Sequence, residues 1–195
     1  MSNVPNDPAE FFTAWLPKTF EPLAAKLGQT NSPGAIVFQV GEREPLALRI
    51  EAGRITVANG IPADAIAQVR LSEGAFEPII VRGAELLSTE QKSSDAHLLV
   101  LRALTLDAER VALIRGVSGS VAFLLKSDND EHRLLLTPGT QTPNAAAPEC
   151  SVRCQLTDFL AMQRGETNPF ELMMSGKIMI SGDAQIPMAL SSLFV

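Results

Sequence analysis

The stretch SGKIMISGD, residues 175–183, places a short apolar run between two glycines, Gly176 and Gly182. Its alternation predicts a strand in which Ile178 and Ile180 face the same side of a sheet. Glycine adopts backbone conformations that other residues avoid, so the chain can turn sharply at both ends of this strand. We therefore expect the helices before and after the strand to lie on the same face of one sheet.

Three helices are predicted around this strand from their capping residues. Thr157 or Asp158 begins the first helix, Asn168 followed by Pro169 begins the second, and Asp183 begins the last. Methionine adapts to ligands of irregular shape, although a methionine at helical spacing is more often an ordinary core residue. Five of the chain's six methionines lie in this C-terminal part, namely Met162, Met173, Met174, Met179 and Met188.

The same order of elements is predicted twice along the chain. Gly34-Ala-Ile-Val-Phe resembles Gly119-Ser-Val-Ala-Phe, and Leu71-Ser-Glu resembles Leu156-Thr-Asp, at one shared offset (119 − 34 = 85 and 156 − 71 = 85). A shared offset with the same order of elements predicts a degenerate tandem repeat. Chance similarity between two ordinary strands is the alternative.

The repeat divides the chain into two predicted halves, which form one compact unit or two lobes. Residues 8–93 contain a helix that is capped by Asp7 and runs up to Gly28, four strands and a helix capped by Ser72. Residues 94–195 are the fuller half, in which helical periodicity over 95–116 precedes the strands and the C-terminal elements. The stretch PGTQTPNAAAP, residues 138–148, predicts a loop where the first half has its third strand.

Composition excludes several classes of function. Sixteen Lys and Arg against 22 Asp and Glu leave a formal net charge of -6, which argues against binding to nucleic acid. We find no apolar run of the roughly 20 residues that a membrane span requires, and the N-terminus does not resemble a signal peptide. We therefore expect a cytoplasmic protein without an integral membrane span.

Neither catalytic residues nor a metal site are predicted. Cys150 and Cys154 fall on one face of an alternating strand, too far apart for a disulfide, and are expected to be core residues. The histidines, His97 and His132, have no second ligand at a metal spacing. The motif GVSGS, residues 116–120, has Ser120 where a nucleophile elbow requires its second glycine. It therefore predicts a turn into a strand. We expect no enzyme activity and no cofactor.

The C-terminal series of elements resembles the sterol carrier protein type two family. The resemblance covers residues 150–194 well and is weaker upstream. It implies an α+β fold, with helices packed on one face of a mixed sheet and an apolar tunnel between them. This chain departs from the family in its tandem arrangement, in the missing third strand of the second half, and in the lack of a SGKIMISGD equivalent in the first half.

The resemblance implies non-enzymatic binding or transfer of an apolar ligand of the sterol, fatty acid or acyl-CoA class. The alternative is an accessory or scaffold protein for a lipid or isoprenoid-quinone biosynthetic enzyme. The expected protein partners are such an enzyme or further copies of this chain in a homo-oligomer. An enzyme acting on an acyl thioester is a weaker third reading. The predicted ligand-binding residues are Phe159, Met162, Phe170, Met173, Met174, Met179, Ile186, Met188, Leu190 and Phe194.

Overall fold

The structure, a computed structural model, describes residues 4–19, 31–89, 104 and 106–190. Within these residues eight strands form one mixed sheet: β1 Ala35–Val40, β2 Leu46–Glu51, β3 Arg54–Asn59, β4 Ala65–Leu71, β5 Val121–Lys126, β6 Glu131–Pro138, β7 Cys150–Gln155 and β8 Met179–Gly182. The α-helices are α1 Pro8–Glu10, α2 Arg82–Thr89, α3 Ala108–Gly116, α4 Leu156–Gln163, α5 Pro169–Met174 and α6 Gln185–Leu190. The predicted α+β class with a mixed sheet is confirmed.

The strands are arranged in the order β3-β2-β1-β4-β6-β5-β7-β8. In the first half β1 pairs antiparallel with β2 and parallel with β4. In the second half β5 pairs antiparallel with β6 and parallel with β7. The halves join through antiparallel pairing of β4 with β6, so they share one continuous sheet.

Within the described residues, each half has one strand for which the other half has no equivalent. The second half has β8 antiparallel to β7, and in the described part of the first half β4 has no such strand of its own. The first half has β3 antiparallel to β2, whereas the second half has a loop at 139–149 instead. Because β4 and β6 pair antiparallel with each other, they protect two sheet edges that would otherwise be exposed.

Close contacts of glycines beside β1 and β5 recur at the offset found in the sequence. A Cβ atom added to Gly34 would lie 2.2 Å from the Asp64 carbonyl oxygen, and one added to Gly119 would lie 3.0 Å from Glu149 Cγ. Both pairs obey the same spacing, because 119 − 34 = 85 and 149 − 64 = 85. These contacts support the tandem repeat, and the division into two halves stays a prediction.

Aromatic rings fill the space between sheet and helices in the first half. Phe12 is 2% exposed, and its ring centroid lies 5.1 Å from that of Phe11, 4.8 Å from Phe38 and 6.0 Å from Phe76. Phe11 and Phe76 are also in edge contact, with centroids 5.6 Å apart. Apolar burial of this density is the main favourable term in folding.

Two π-helical segments carry these aromatic side chains into the core. Phe11–Trp15 follows α1, and Phe76–Val81 leads into α2 after a 3₁₀ turn at Glu73–Ala75. Pro78 lies inside the second segment, and a proline cannot donate the backbone hydrogen bond that a regular α-helix requires. The helix predicted after Ser72 therefore forms, with an irregular first part.

The other predicted helices agree in place with the described residues, with shorter bounds. α1 has the predicted cap, because the Asp7 carboxylate accepts a hydrogen bond from Glu10 N at 2.9 Å. The helical continuation toward Gly28 lies partly outside the described residues, which do not include 20–30. The helix predicted over 95–116 begins at Ala108 behind the Asp107 cap, and 95–103 and 105 also lie outside.

The predicted loop after β6 crosses the sheet face opposite the helices. Gln68, which is 3% exposed on β4, donates from Nε2 to the carbonyl oxygens of Gly139 (3.0 Å) and Gln141 (2.8 Å). The Gln141 side chain in turn donates to the Val117 carbonyl oxygen at 2.7 Å. These bonds satisfy a buried amide and fix the loop over one end of this face.

Candidate functional site

The candidate site is built on α4, which follows directly from β7. Val152 of β7 and Phe123 of β5 lie in register on the inner face, and the Phe123 ring is 6.0 Å from that of Phe159 on α4. The helix begins at Leu156 behind the N-cap Gln155, so the predicted cap at Thr157 or Asp158 is wrong by two or three residues. Asp158 lies in the first turn instead, where a carboxylate is stabilised by the helix dipole.

α5 is short and buries only one of its side chains. The Asn168 side-chain oxygen accepts hydrogen bonds from Phe170 N (2.7 Å) and Glu171 N (3.3 Å), as its capping role predicts. Leu172 points inward and is 4% exposed, whereas Phe170 is 66% exposed. A helix that buries one residue per turn leaves its other large side chains at the surface. Met173 and Met174 are accordingly 46% and 75% exposed.

The two glycines around β8 are required for different reasons. Gly176 has a φ of 72° and ends α5, and no atom lies within 4 Å of a Cβ added there. Gly182 has a φ of 91°, and a Cβ added there would lie 2.2 Å from the Glu149 carbonyl oxygen. Gly176 is therefore required by backbone conformation, and Gly182 by conformation together with the close approach of β7.

α6 buries one line of apolar side chains against the core and exposes a methionine on another side. The Asp183 carboxylate accepts a hydrogen bond from Gln185 N at 2.9 Å, which agrees with its predicted capping role. Ile186 and Leu190 are 5% and 1% exposed, whereas Met188 between them is 72% exposed. Phe194 lies outside the described residues.

The predicted ligand residues therefore divide into distinct groups. Phe159, Ile186 and Leu190 are buried in the common core, and Met162 packs partly buried against it. Four side chains on the helices are exposed: Phe170, Met173, Met174 and Met188. Met179 does not join them, because it pairs with Arg153 on the sheet face opposite the helices. Strand alternation, which turns Ile180 inward, puts Met179 on the other side.

Both cysteines are core thiols on the helix-facing side of β7. Cys150 and Cys154 are buried and unbonded to each other, as predicted. Burial raises the pKa of Cys154 to about 11, with a smaller contribution from the nearby Asp158 carboxylate. Burial likewise raises the pKa of Cys150, and Asp183 adds to this. Both thiols are protonated at neutral pH and are poor nucleophiles.

Neither of the two grooves considered next, both on the described part of the chain, is an apolar tunnel. The larger, about 660 Å³, lies between the β5–β6 turn and the α5–β8 turn, and its charged lining residues are Lys126, Asp128, Asp130, Glu131, Arg153, Asp158 and Lys177. The smaller, about 330 Å³, lies beside Ala14 and Ile55. Sequence analysis missed the larger groove, because its walls come from turns that local periodicity does not bring together.

No catalytic constellation is assembled from the residues described. His132 contacts Ser127 Oγ at 3.4 Å in the β5–β6 hairpin, and His97 lies outside the described residues. Gly119, in the stretch 116–120, has a φ of 99° and forms the predicted turn into β5. Within the described ranges no three His, Cys, Asp or Glu side chains are arranged to hold a metal ion. No described helix is long and apolar enough to cross a bilayer.

Comparison with known families and structures gives a consistent result. The sequence model of the SCP-2 sterol transfer family matches residues 100–195. No curated protein sequence matches this chain.

Several solved structures of sterol carrier proteins are similar at low identity. Sterol Carrier Protein 2 Like 2 from Aedes aegypti is 19% identical over 57% of this chain and 96% of its own, with a TM-score of 0.36. Sterol Carrier Protein 2 from Yarrowia lipolytica is 16% identical over 49% and 87%, with a TM-score of 0.36. A ubiquinone synthesis protein, UbiJ-SCP2, is 18% identical over 60% and 95%, with a TM-score of 0.38.

Proposed function

Because residues 100–195 match the sequence model of the SCP-2 sterol transfer family, we propose that this protein is a non-enzymatic carrier of an apolar, lipid-like ligand. The ligand is of the sterol, fatty acid or acyl-CoA class, and its site lies among α4, α5, α6 and the inner face of the sheet. The ligand binds by burying its apolar surface in this site, and it is transferred when it dissociates from the site.

The observation that carries this proposal is the exposed apolar surface of α5 and α6. Phe170, Met174 and Met188 are each more than 60% exposed, although the protein has a packed core into which such side chains normally go. Several large apolar side chains exposed on neighbouring elements of the chain fit a binding site for an apolar partner. The unbranched methionine side chains adapt to ligands that differ in shape.

The free energy available from such a surface is sufficient for useful affinity. Burial of about 300 Å² of ligand surface at ~25 cal/mol per Å² contributes about 7 kcal/mol before the entropy of association is subtracted. Micromolar affinity thus requires few polar contacts. An apolar site discriminates a single methylene by only about 1 to 3 kcal/mol, so we expect a broad ligand class.

The test is titration of delipidated protein with a fluorescent fatty acid and a fluorescent sterol in solution. Saturable binding is expected, and the double variant Phe170→Ser, Met174→Ser should bind roughly tenfold more weakly, because apolar contact area is lost. Ile61→Ser is the matched control, because Ile61 is an exposed apolar residue in the first half of the chain. Absence of saturable binding, or equal loss in the control, would contradict the proposal.

The same exposed side chains also fit a second function. An accessory protein for a lipid or isoprenoid-quinone biosynthetic enzyme would bury this surface against its partner, since aromatic residues and methionine are enriched in interface cores. The two functions differ in what accompanies the native protein. Mass spectrometry should find a bound lipid for the carrier, and a stoichiometric biosynthetic enzyme without bound lipid for the accessory protein. The cytoplasmic location and a homo-oligomer stay predictions.

A further inference from the structure

Three arginines occupy adjacent positions on the sheet face opposite the helices. Arg133 on β6 and Arg153 on β7 are both in register with Leu124 on β5, one from each side. Arg70 on β4 pairs with Leu135, which lies two residues from Arg133 on the same face. Strand spacing of ~4.8 Å places the Cα atoms of Arg133 and Arg153 about 10 Å apart, and the Arg70–Arg133 diagonal is about 7 to 8 Å.

No carboxylate among the described residues forms an ion pair with these arginines. None of the three forms an ion pair among the residues that the structure describes, whereas Arg43, Arg49, Arg82, Arg110, Arg164 and Lys177 all do. Arg133 donates to the Ala145 carbonyl oxygen, and its Nε is shielded without a hydrogen-bond partner within the described ranges. Cationic side chains on one face of neighbouring strands attract an anion, because a guanidinium group forms charge-assisted hydrogen bonds with anionic oxygens.

Apolar side chains lie among the arginines. Met179 on β8 pairs with Arg153 and is 60% exposed, and Leu124 between the arginine rows is only partly buried. We call the five residues Arg70, Leu124, Arg133, Arg153 and Met179 the arginine face. Cations beside exposed apolar groups match the interface of a bilayer, where phosphates lie next to acyl chains.

We propose that the arginine face docks this protein on an anionic lipid surface. Charge complementarity selects this partner, because the face is cationic on a chain whose formal net charge is -6. At about 0.1 M salt the Debye length is about 10 Å, so a bilayer interacts with the face that touches it and little with distant carboxylates. The inference is independent of the proposed ligand site, because the arginine face and the α4–α6 helices lie on opposite sides of the sheet.

The acidic β5–β6 turn sets one border of this surface. Asp128 and Asp130 are exposed and line the 660 Å³ groove that also contains Leu124, Arg153 and Met179. Carboxylates at this position repel an anionic bilayer. The variant Asp128→Asn, Asp130→Asn should therefore bind anionic vesicles more tightly, which is opposite in sign to the loss of an arginine.

The test is sedimentation of the full chain with vesicles of phosphatidylcholine alone, and with vesicles of two parts phosphatidylcholine to one part phosphatidylglycerol. Binding is expected only with the anionic vesicles, and Arg70→Gln combined with Arg153→Gln should weaken it roughly 30-fold, since each basic side chain contributes near a charged surface. Arg133 is left intact because it holds Ala145. The matched control is Arg82→Gln with Arg110→Gln, two exposed arginines on helices with the same change in net charge.

A second experiment tests which side of the protein faces the vesicle. An environment-sensitive fluorophore on Ser181→Cys, beside the arginine face, should shift on binding to anionic vesicles, whereas one on Glu171→Cys of α5 should not. The native cysteines do not compete for the label, because both are buried. The proposal is overturned if anionic vesicles do not bind, if the control pair loses binding equally, if only the α5 label shifts, or if polyglutamate binds and vesicles do not.

Discussion

The two halves of the chain share a strand arrangement and differ in how they use their apolar side chains. In the first half, Phe12 is 2% exposed and contacts three other aromatic rings in the core. In the second half, α5 buries Leu172 and leaves Phe170 and Met174 at the surface. A similar backbone pattern can therefore build either a closed core or an apolar surface, depending on where its large side chains fall.

Matched phenylalanine substitutions test this comparison with the largest expected effect. Phe12→Ala should lower the free energy of unfolding by about 3 to 5 kcal/mol, because it leaves a cavity in a packed core. Phe170→Ala should change it by no more than about 0.5 kcal/mol, because the side chain is 66% exposed. Chemical denaturation of both variants measures the difference. Equal destabilisation would mean that α5 is packed as tightly as the aromatic core.

Glycine substitutions around β8, the strand that distinguishes the second half, have the next largest expected effect on the free energy of unfolding. Gly182→Ala should cost about 3 kcal/mol, since the new Cβ would lie 2.2 Å from the Glu149 carbonyl oxygen and the backbone is at a φ of 91°. Gly176→Ala should cost about 1 kcal/mol, because only its positive φ opposes a side chain. Thermal unfolding of both variants checks this order, and a reversed order would refute the assigned roles.

The second half should contribute a pH dependence of stability that the first half lacks, because it contains the buried thiol of Cys154. Cys154 pairs with Leu125 in the second half, and its counterpart in the first half at the offset of 85 residues is Val69 (154 − 85 = 69), which cannot titrate. The pKa of Cys154 is raised from 9.0 to about 11 by burial, so its stabilisation is present below pH 9 and is lost as the pH rises toward 11. The expected loss is about 2 kcal/mol.

Cys154→Ala isolates this effect from other groups that titrate at alkaline pH. The wild-type protein should lose more stability between pH 9 and pH 11 than the variant does, in urea denaturation at matched ionic strength. Cys150, whose pKa is also raised by burial, is retained in both proteins. Parallel pH profiles for the wild type and the variant would show that the thiol is not protected from ionisation.

Sequence reasoning predicted the elements of this fold better than the arrangement of its site. Capping side chains such as Asp7, Asn168 and Asp183 act on neighbours two or three residues away, so a local pattern identifies them. The exposure of Phe170 and Met188 was not predictable in the same way. Helical spacing shows that side chains share a stripe, and it does not show whether another element covers that stripe.

The sequence alone determined the strand alternation, the helix caps, the turns at glycine and the internal offset of 85 residues (119 − 34 = 85). Each of these depends on the conformation of a few consecutive residues or on direct comparison of two segments. Only the tertiary structure decided that β4 pairs with β6, that Gln68 bonds to the loop at Gly139, 71 residues away, and that Arg70, Arg133 and Arg153 converge. Such contacts depend on which sheet edges remain free to pair once both halves have formed, and no local pattern records that competition.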